Sequence, residues 1–191
     1  EGVQYAEPKL KMMGIEAVKS STPQVCRDKI KDALKVIMSG DENDLNDFIQ
    51  DFRKEWMDMD AASIAFPRSC NGMKKWRDSN SVYLKGTPMH VKGALIYNHQ
   101  LKVKKLSSKY PEIMDGEKIK FVHLKDPNPY QCNAFTFLTD CPKELDINKY
   151  IDYEKQFEKS YVEPLKFITS AINWNIDDTY GTQATLMDFF S

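Results

Sequence analysis

Hydrophobic positions along the chain's 191 residues recur with a helical period in most places and alternate in a few. The clearest run is Leu45, Phe48, Ile49, Phe52 and Trp56, spaced i, i+3, i+4, i+7 and i+11 with acidic residues between them. That spacing predicts an amphipathic helix with an aromatic core stripe. Asp41-Glu42-Asn43-Asp44 sets negative charge at its start, where the helix dipole favours it. Val25, Ile30, Ala33, Leu34 and Ile37 predict a helix just before it, with Thr22-Pro23 as cap and first-turn proline and Gly40 as stop. Thr87-Pro88 repeats that start and predicts a helix to about Leu106. A last helical stretch runs from near Ile147 to about Trp174, kinked or broken at Pro164.

The alternating signals are shorter. Pro8 holds Glu7 away from the helical region, so Tyr5-Ala6-Glu7-Pro8 reads as a turn. Leu10, Met12, Met13 and Ile15 around Gly14 then read as a strand. Another short strand is expected at Ile64-Ala65-Phe66, followed by an irregular basic stretch carrying Trp76 and Tyr83. Ile119/Phe121/His123 alternate against Lys118/Lys120/Val122, the pattern of a half-buried strand. Asp126-Pro127-Asn128-Pro129 makes a turn, and residues 134–138 supply the partner strand. The fold class is α+β, mostly helical with a small antiparallel β insert.

Composition adds limits. With 41% hydrophobic and 29% charged residues, the chain matches ordinary globular usage, which argues against disorder and fibrous repeats. No window approaches 18 consecutive apolar residues, so no membrane partner is expected. The sequence opens Glu1-Gly2-Val3-Gln4, without an initiator Met or a signal-peptide pattern, and reads as a piece of something longer. Cys26, Cys70, Cys132 and Cys141 are far apart, with no C-x-x-C pair, so they read as reduced thiols of an intracellular protein rather than zinc ligands or disulfides.

Charge is unevenly spread. Residues 68–125 carry thirteen Lys/Arg against four Asp/Glu, a net +9, while the whole chain is at -1. A basic block of this size, flanked by acidic segments, fits either a polyanion partner or a solvated basic face. No D-x-D pair stands beside an apolar strand, and Asp58/Asp60 reads as a helix-end cap. No P-loop and no Cys/His or Ser/His/Asp arrangement appears. Hence no catalytic residue, metal site or cofactor is expected in this chain.

The last residues carry the most specific motif. Gln183-Ala184-Thr185-Leu186-Met187-Asp188-Phe189-Phe190 fits Q-x-x-[ILM]-x-x-[aromatic]-[aromatic]. One helical turn would set Leu186, Phe189 and Phe190 on one side as a hydrophobic plug, with the Gln183 amide hydrogen-bonding beside it. The pattern resembles the sliding-clamp-binding peptide of replication and repair proteins. Further stretches, in order, are Glu1–Glu16 with Lys19-Ser20-Ser21-Thr22-Pro23, Ser63-Ile64-Ala65, Pro88-Met89-His90-Val91-Lys92-Gly93 with Tyr97-Asn98, Gly116-Glu117-Lys118, and Asp152-Tyr153 with Phe157-Glu158-Lys159 and Pro164-Leu165. Together they resemble the C-terminal part of family B DNA polymerases of T-even-like bacteriophages. Phage relatives end in an aromatic tail of different wording, so clamp recognition rests here on the motif itself.

The resemblance implies a palm remnant at 1–20, a thumb domain at 21–180 and a clamp-binding tail at 181–191. It implies a duplex primer–template partner, gripped along its backbone irrespective of sequence, and a sliding clamp held by Gln183, Leu186, Phe189 and Phe190. The setting would be the cytoplasm of an infected bacterial host. Mg²⁺ belongs to the complete polymerase, whose two aspartates this chain lacks, so the fragment alone should not synthesise DNA. Expected DNA contacts are Lys85, His90 and Lys92 around the helix start after Thr87-Pro88, Tyr97, Asn98 and Lys102 further along it, and Lys19, Ser20 and Ser21 before the first helix. A strand at Leu10–Ile15 would lack a sheet, which implies a palm-containing polymerase fragment as partner and the small subunit of a split enzyme. The alternative is a free-standing interaction protein that competes for the clamp and has no role in synthesis.

Overall fold

The computed structural model describes residues 7–177. Its elements run α1 (Glu7–Ala17), α2 (Gln24–Ser39), α3 (Glu42–Met57), α4 (Ala61–Ile64), β1 (Phe66–Ser69), α5 (Met73–Trp76), β2 (Arg77–Asp78), β3 (Val82–Tyr83) and α6 (Met89–Val103). After these come β4 (Lys118–His123), β5 (Ala134–Phe137), two 3-10 turns (Lys143–Leu145 and Ile147–Lys149), α7 (Tyr153–Phe157), a π turn (Glu158–Val162) and α8 (Glu163–Ala171). The class is α+β. Two units result, one from residues 7–19, Val25–Asp58 and 157–177, the other from Ser20–Gln24 and Met59–Gln156.

The first unit is helical. Asp41 and Asp44 close a capping box at the start of α3, each carboxylate accepting the other's backbone N–H at 2.9 Å. Behind that cap, Leu45, Ile49, Phe52 and Trp56 are buried. Phe52 meets Tyr161 edge-on at 4.7 Å, and Trp56 meets Phe157 at 5.5 Å, so the stripe read from the sequence is core. Pro164 is the second residue of α8, just beyond the π turn, where Glu163 N–H reaches back to Glu158 O. The wider turn relieves the clash that the proline ring would make in a regular helix.

The expected strand at Leu10–Ile15 is helix α1 instead. Lys, Leu, Met and Glu are all strong helix formers, and Pro8 falls in the first turn, where its missing N–H breaks no bond. The buried positions are Leu10, Gly14 and Ala17, a spacing of i, i+4, i+7, whereas Met12 and Ile15 stand 60% and 76% exposed. This face packs on α8. No unpaired strand remains here, so the argument for a sheet completed by a second chain fails.

The second unit is built on an antiparallel sheet in the order β1-β4-β5. Phe66 pairs with Phe121, and Val122 with Phe135. Helix α6 lies across β5. Gly93 permits the closest approach: a methyl there would stand 2.3 Å from Thr136 Oγ1 and 2.8 Å from Thr136 N. Thr136 Oγ1 in turn donates to His90 O at 2.8 Å, fastening the helix's first turn to the strand. Gln156, fully buried, donates to Ile64 O and accepts from His123 N, which ties α7 to β4 and the end of α4. Among the described residues no helix is long and apolar enough to cross a membrane. All four cysteines are free thiols.

Candidate nucleic-acid interface

The beginning of α6 is prepared by the turn ahead of it. Thr87 does not cap the helix as expected. It is buried, and its hydroxyl donates back to Leu84 O at 2.6 Å, because the helix starts one residue later, with Pro88 in the cap position and no side-chain cap bond. Lys92 N–H closes the first helical bond onto Pro88 O at 2.8 Å. The N–H groups of Met89, His90 and Val91 therefore stand outside the helix ladder with no side-chain cap, at the positive end of a 15-residue helix.

Cations surround this end. Lys85 is exposed in the turn. Lys92 holds its ammonium 5.3 Å from the centre of the Tyr83 ring. Arg68 is exposed on β1, close enough to His90 to act on its titration. His90 is half-buried, its ring 6.1 Å from that of Phe121, and burial followed by the Arg68 charge depresses its pKa below the ordinary 6.5. Neutral at pH 7, it offers a hydrogen bond there rather than a charge. Among the described residues none of Arg68, Lys75, Arg77, Lys85 or Lys92 pairs with a carboxylate. Asp78, the one acid between residues 71 and 92, is spent within its own turn, accepting from Ser81 N, Ser81 Oγ and Asn80 N.

Three other expected contacts lie elsewhere. Tyr97 and Asn98 are only 2% and 6% exposed and do not face solvent. Tyr97 Oη donates to Pro111 O, and Asn98 exchanges two bonds with the Ile113 backbone, at 2.9 and 2.8 Å. Both side chains, expected as DNA contacts, are engaged within the fold: the irregular segment after α6 takes up their polar atoms. Lys102 sits twelve residues beyond His90, about 18 Å along the helix, and pairs with Glu112 at 3.6 Å. Lys109 likewise pairs with Glu144. The basic block thus divides into an unneutralised group at the start of α6 and a partly neutralised one at its end.

Lys19 and Ser20 are exposed and Ser21 half-buried in the turn before α2, where Lys19 O accepts from Arg27 Nη2 at 2.8 Å. They stand as a separate candidate. Gln183, Leu186, Phe189 and Phe190 lie outside the described residues. Asp58 and Asp60 are helix-end groups, as expected, Asp60 accepting from Ser63 N at 2.9 Å. Sequence reading passed over Arg68, whose place beside the α6 start depends on the β1–β4 pairing; an exposed cation inside a strand run was the only available sign.

No family model matches the sequence. The chain is 31% identical over 169 residues to the DNA-directed DNA polymerase of Enterobacteria phage T4, covering 86% of this chain and 18% of that protein. It is 33% identical over 195 positions to the DNA-directed DNA polymerase of Escherichia phage RB69, covering 100% of this chain and 21% of that protein. The chain is homologous to these enzymes along its whole length and spans about a fifth of theirs.

Proposed function

We propose that this segment is the thumb and C-terminal portion of a replicative DNA-directed DNA polymerase, which grips the primer–template duplex by its backbone. The observation that carries this is the unneutralised cationic group at the start of α6, set in a chain homologous throughout to such enzymes. A replicative enzyme must hold every sequence equally. Lysine and arginine on phosphate, together with uncapped helix N–H groups, give affinity without base information. Arg68, Lys85 and Lys92 would take phosphates, with His90 as a neutral hydrogen-bonding partner. The tail residues Gln183, Leu186, Phe189 and Phe190 would tether the enzyme to its sliding clamp. Nucleotide transfer, with Mg²⁺, would belong to the palm, supplied either by the same polypeptide or by a separate fragment, in the cytoplasm of an infected bacterium.

Anisotropy titrations with a mixed-sequence duplex at several salt concentrations test the DNA reading. Affinity should fall steeply with salt, and Lys85→Ala and Lys92→Ala should each reduce the slope of log K on log salt by about one. Salt-insensitive binding, or slopes unchanged in both variants, would refute it.

A further inference from the structure

We infer that the α5–β2–β3 hairpin is a second nucleic-acid subsite, which stacks an unpaired base on Trp76. This rests on reading the second unit as nucleic-acid-binding, and goes beyond it, since gripping a duplex backbone needs cations and no aromatic ring. Trp76 is half-buried, and its indole N–H makes no hydrogen bond among the described residues. Both ends of the ring border glycine: a methyl on Gly72 would lie 3.7 Å from Cδ1, and one on Gly86 4.0 Å from Cζ3. Gly72 and Gly86 have φ of 83° and 87°, a backbone shape that side chains resist, so bare main chain flanks the ring. The same small element carries Lys74, Lys75 and Arg77, with Lys85 in the turn just after it, all exposed, while its single acid is held inside the turn.

Aromatic rings interleaved with cations are the usual platform for single-stranded nucleic acid, because any base offers a flat face and any backbone a phosphate. In a duplex those faces are already stacked, so only an unpaired nucleotide can use the ring. Lys75 holds its ammonium 4.8 Å from the Trp76 ring centre. An exposed cation–π contact is weaker than a base stacked on indole, so a base displaces the lysine, whose charge is then available to the adjoining phosphate. The occupant is thus a nucleotide in a single-stranded stretch, such as a frayed end or an overhang beside the duplex.

The experiment compares a labelled twelve-nucleotide oligothymidylate with a blunt sixteen-base-pair duplex, using the whole chain. Trp76→Ala should weaken oligothymidylate binding about tenfold and change duplex affinity less than twofold, with Trp76→Phe retaining most of the single-strand affinity. Oligothymidylate should also quench the tryptophan fluorescence of the unaltered chain, and Trp76→Phe should remove most of that quenching. The quenching comparison stands even if the alanine variant misfolds. Equal losses on both nucleic acids, or undiminished quenching in Trp76→Phe, would overturn the inference. Binding of oligothymidylate through Trp76 without any duplex affinity would support the inference while refuting the duplex reading.

Discussion

His90 stands where a phosphate-binding residue gains most from a positive charge, yet its surroundings deny it one. Burial and Arg68 both favour the neutral imidazole, so the folded pKa lies below the 6.5 of a free histidine. The sign follows. Between the two values the unfolded chain binds more protons than the folded one, so His90 makes stability fall as pH drops below 6.5 and has no such effect above it. Urea midpoints measured from pH 7.5 to 5.5 should decline less in His90→Gln than in the parent chain; parallel declines would show that His90 is not the responsible group. A histidine at a helix start was visible in the sequence, but its neutrality was not, since Arg68 comes from a strand 22 residues earlier. Tyr97 and Asn98 show the opposite case, with polar atoms already bonded inside the fold. Both occur in a helix whose outer positions looked available, and what covers them is a segment without periodicity, whose path no pattern of residues announces.

At the scale of elements, the proposed interface depends on how closely α6 approaches β5. Gly93 lets the helix backbone sit against Thr136 and Phe135, and the Thr136 hydroxyl holds His90 O one turn away. A methyl at 93 would meet main-chain atoms at 2.8 Å and 3.0 Å, which cannot rotate aside. Gly93→Ala should therefore cost about 1–3 kcal/mol by forcing helix and strand apart, read as a lower urea midpoint. Because the displaced turn carries His90 and Lys92, duplex affinity should fall as well, although no cation is removed. Unchanged stability would mean that the packing is looser than these distances show. Helices α2 and α3 and the β4–β5 pair were legible because caps, turns and periodicity agreed there. Helix α1 was not: its buried face uses Gly14 and Ala17, too small to register as hydrophobic, while exposed Met12 and Ile15 gave a false alternation. Helix α5 is four residues long, which is too short to show any period.

For the whole molecule, two kinds of attachment with different physics are proposed, and salt separates them. The duplex contacts would be ionic, and each phosphate engaged would release counterions, so they should weaken steeply as salt rises. The tail, as proposed, would be an apolar plug. Phe189, Phe190 and Leu186 would bind by leaving water, a force that moderate salt leaves nearly unchanged. A polar stretch, Asp177 to Thr182, precedes the tail motif in sequence, and the two sets of substitutions are expected to act on different attachments. Phe189→Ala with Phe190→Ala should abolish capture by an immobilised sliding clamp and leave duplex affinity within twofold, whereas Lys85→Ala with Lys92→Ala should do the reverse. Raising salt from 50 to 200 mM should release duplex from the unaltered chain but not the clamp. If the phenylalanine pair weakens duplex binding as much as clamp capture, the tail rings belong to the body of the fold, and the tether would have to be sought elsewhere in the chain.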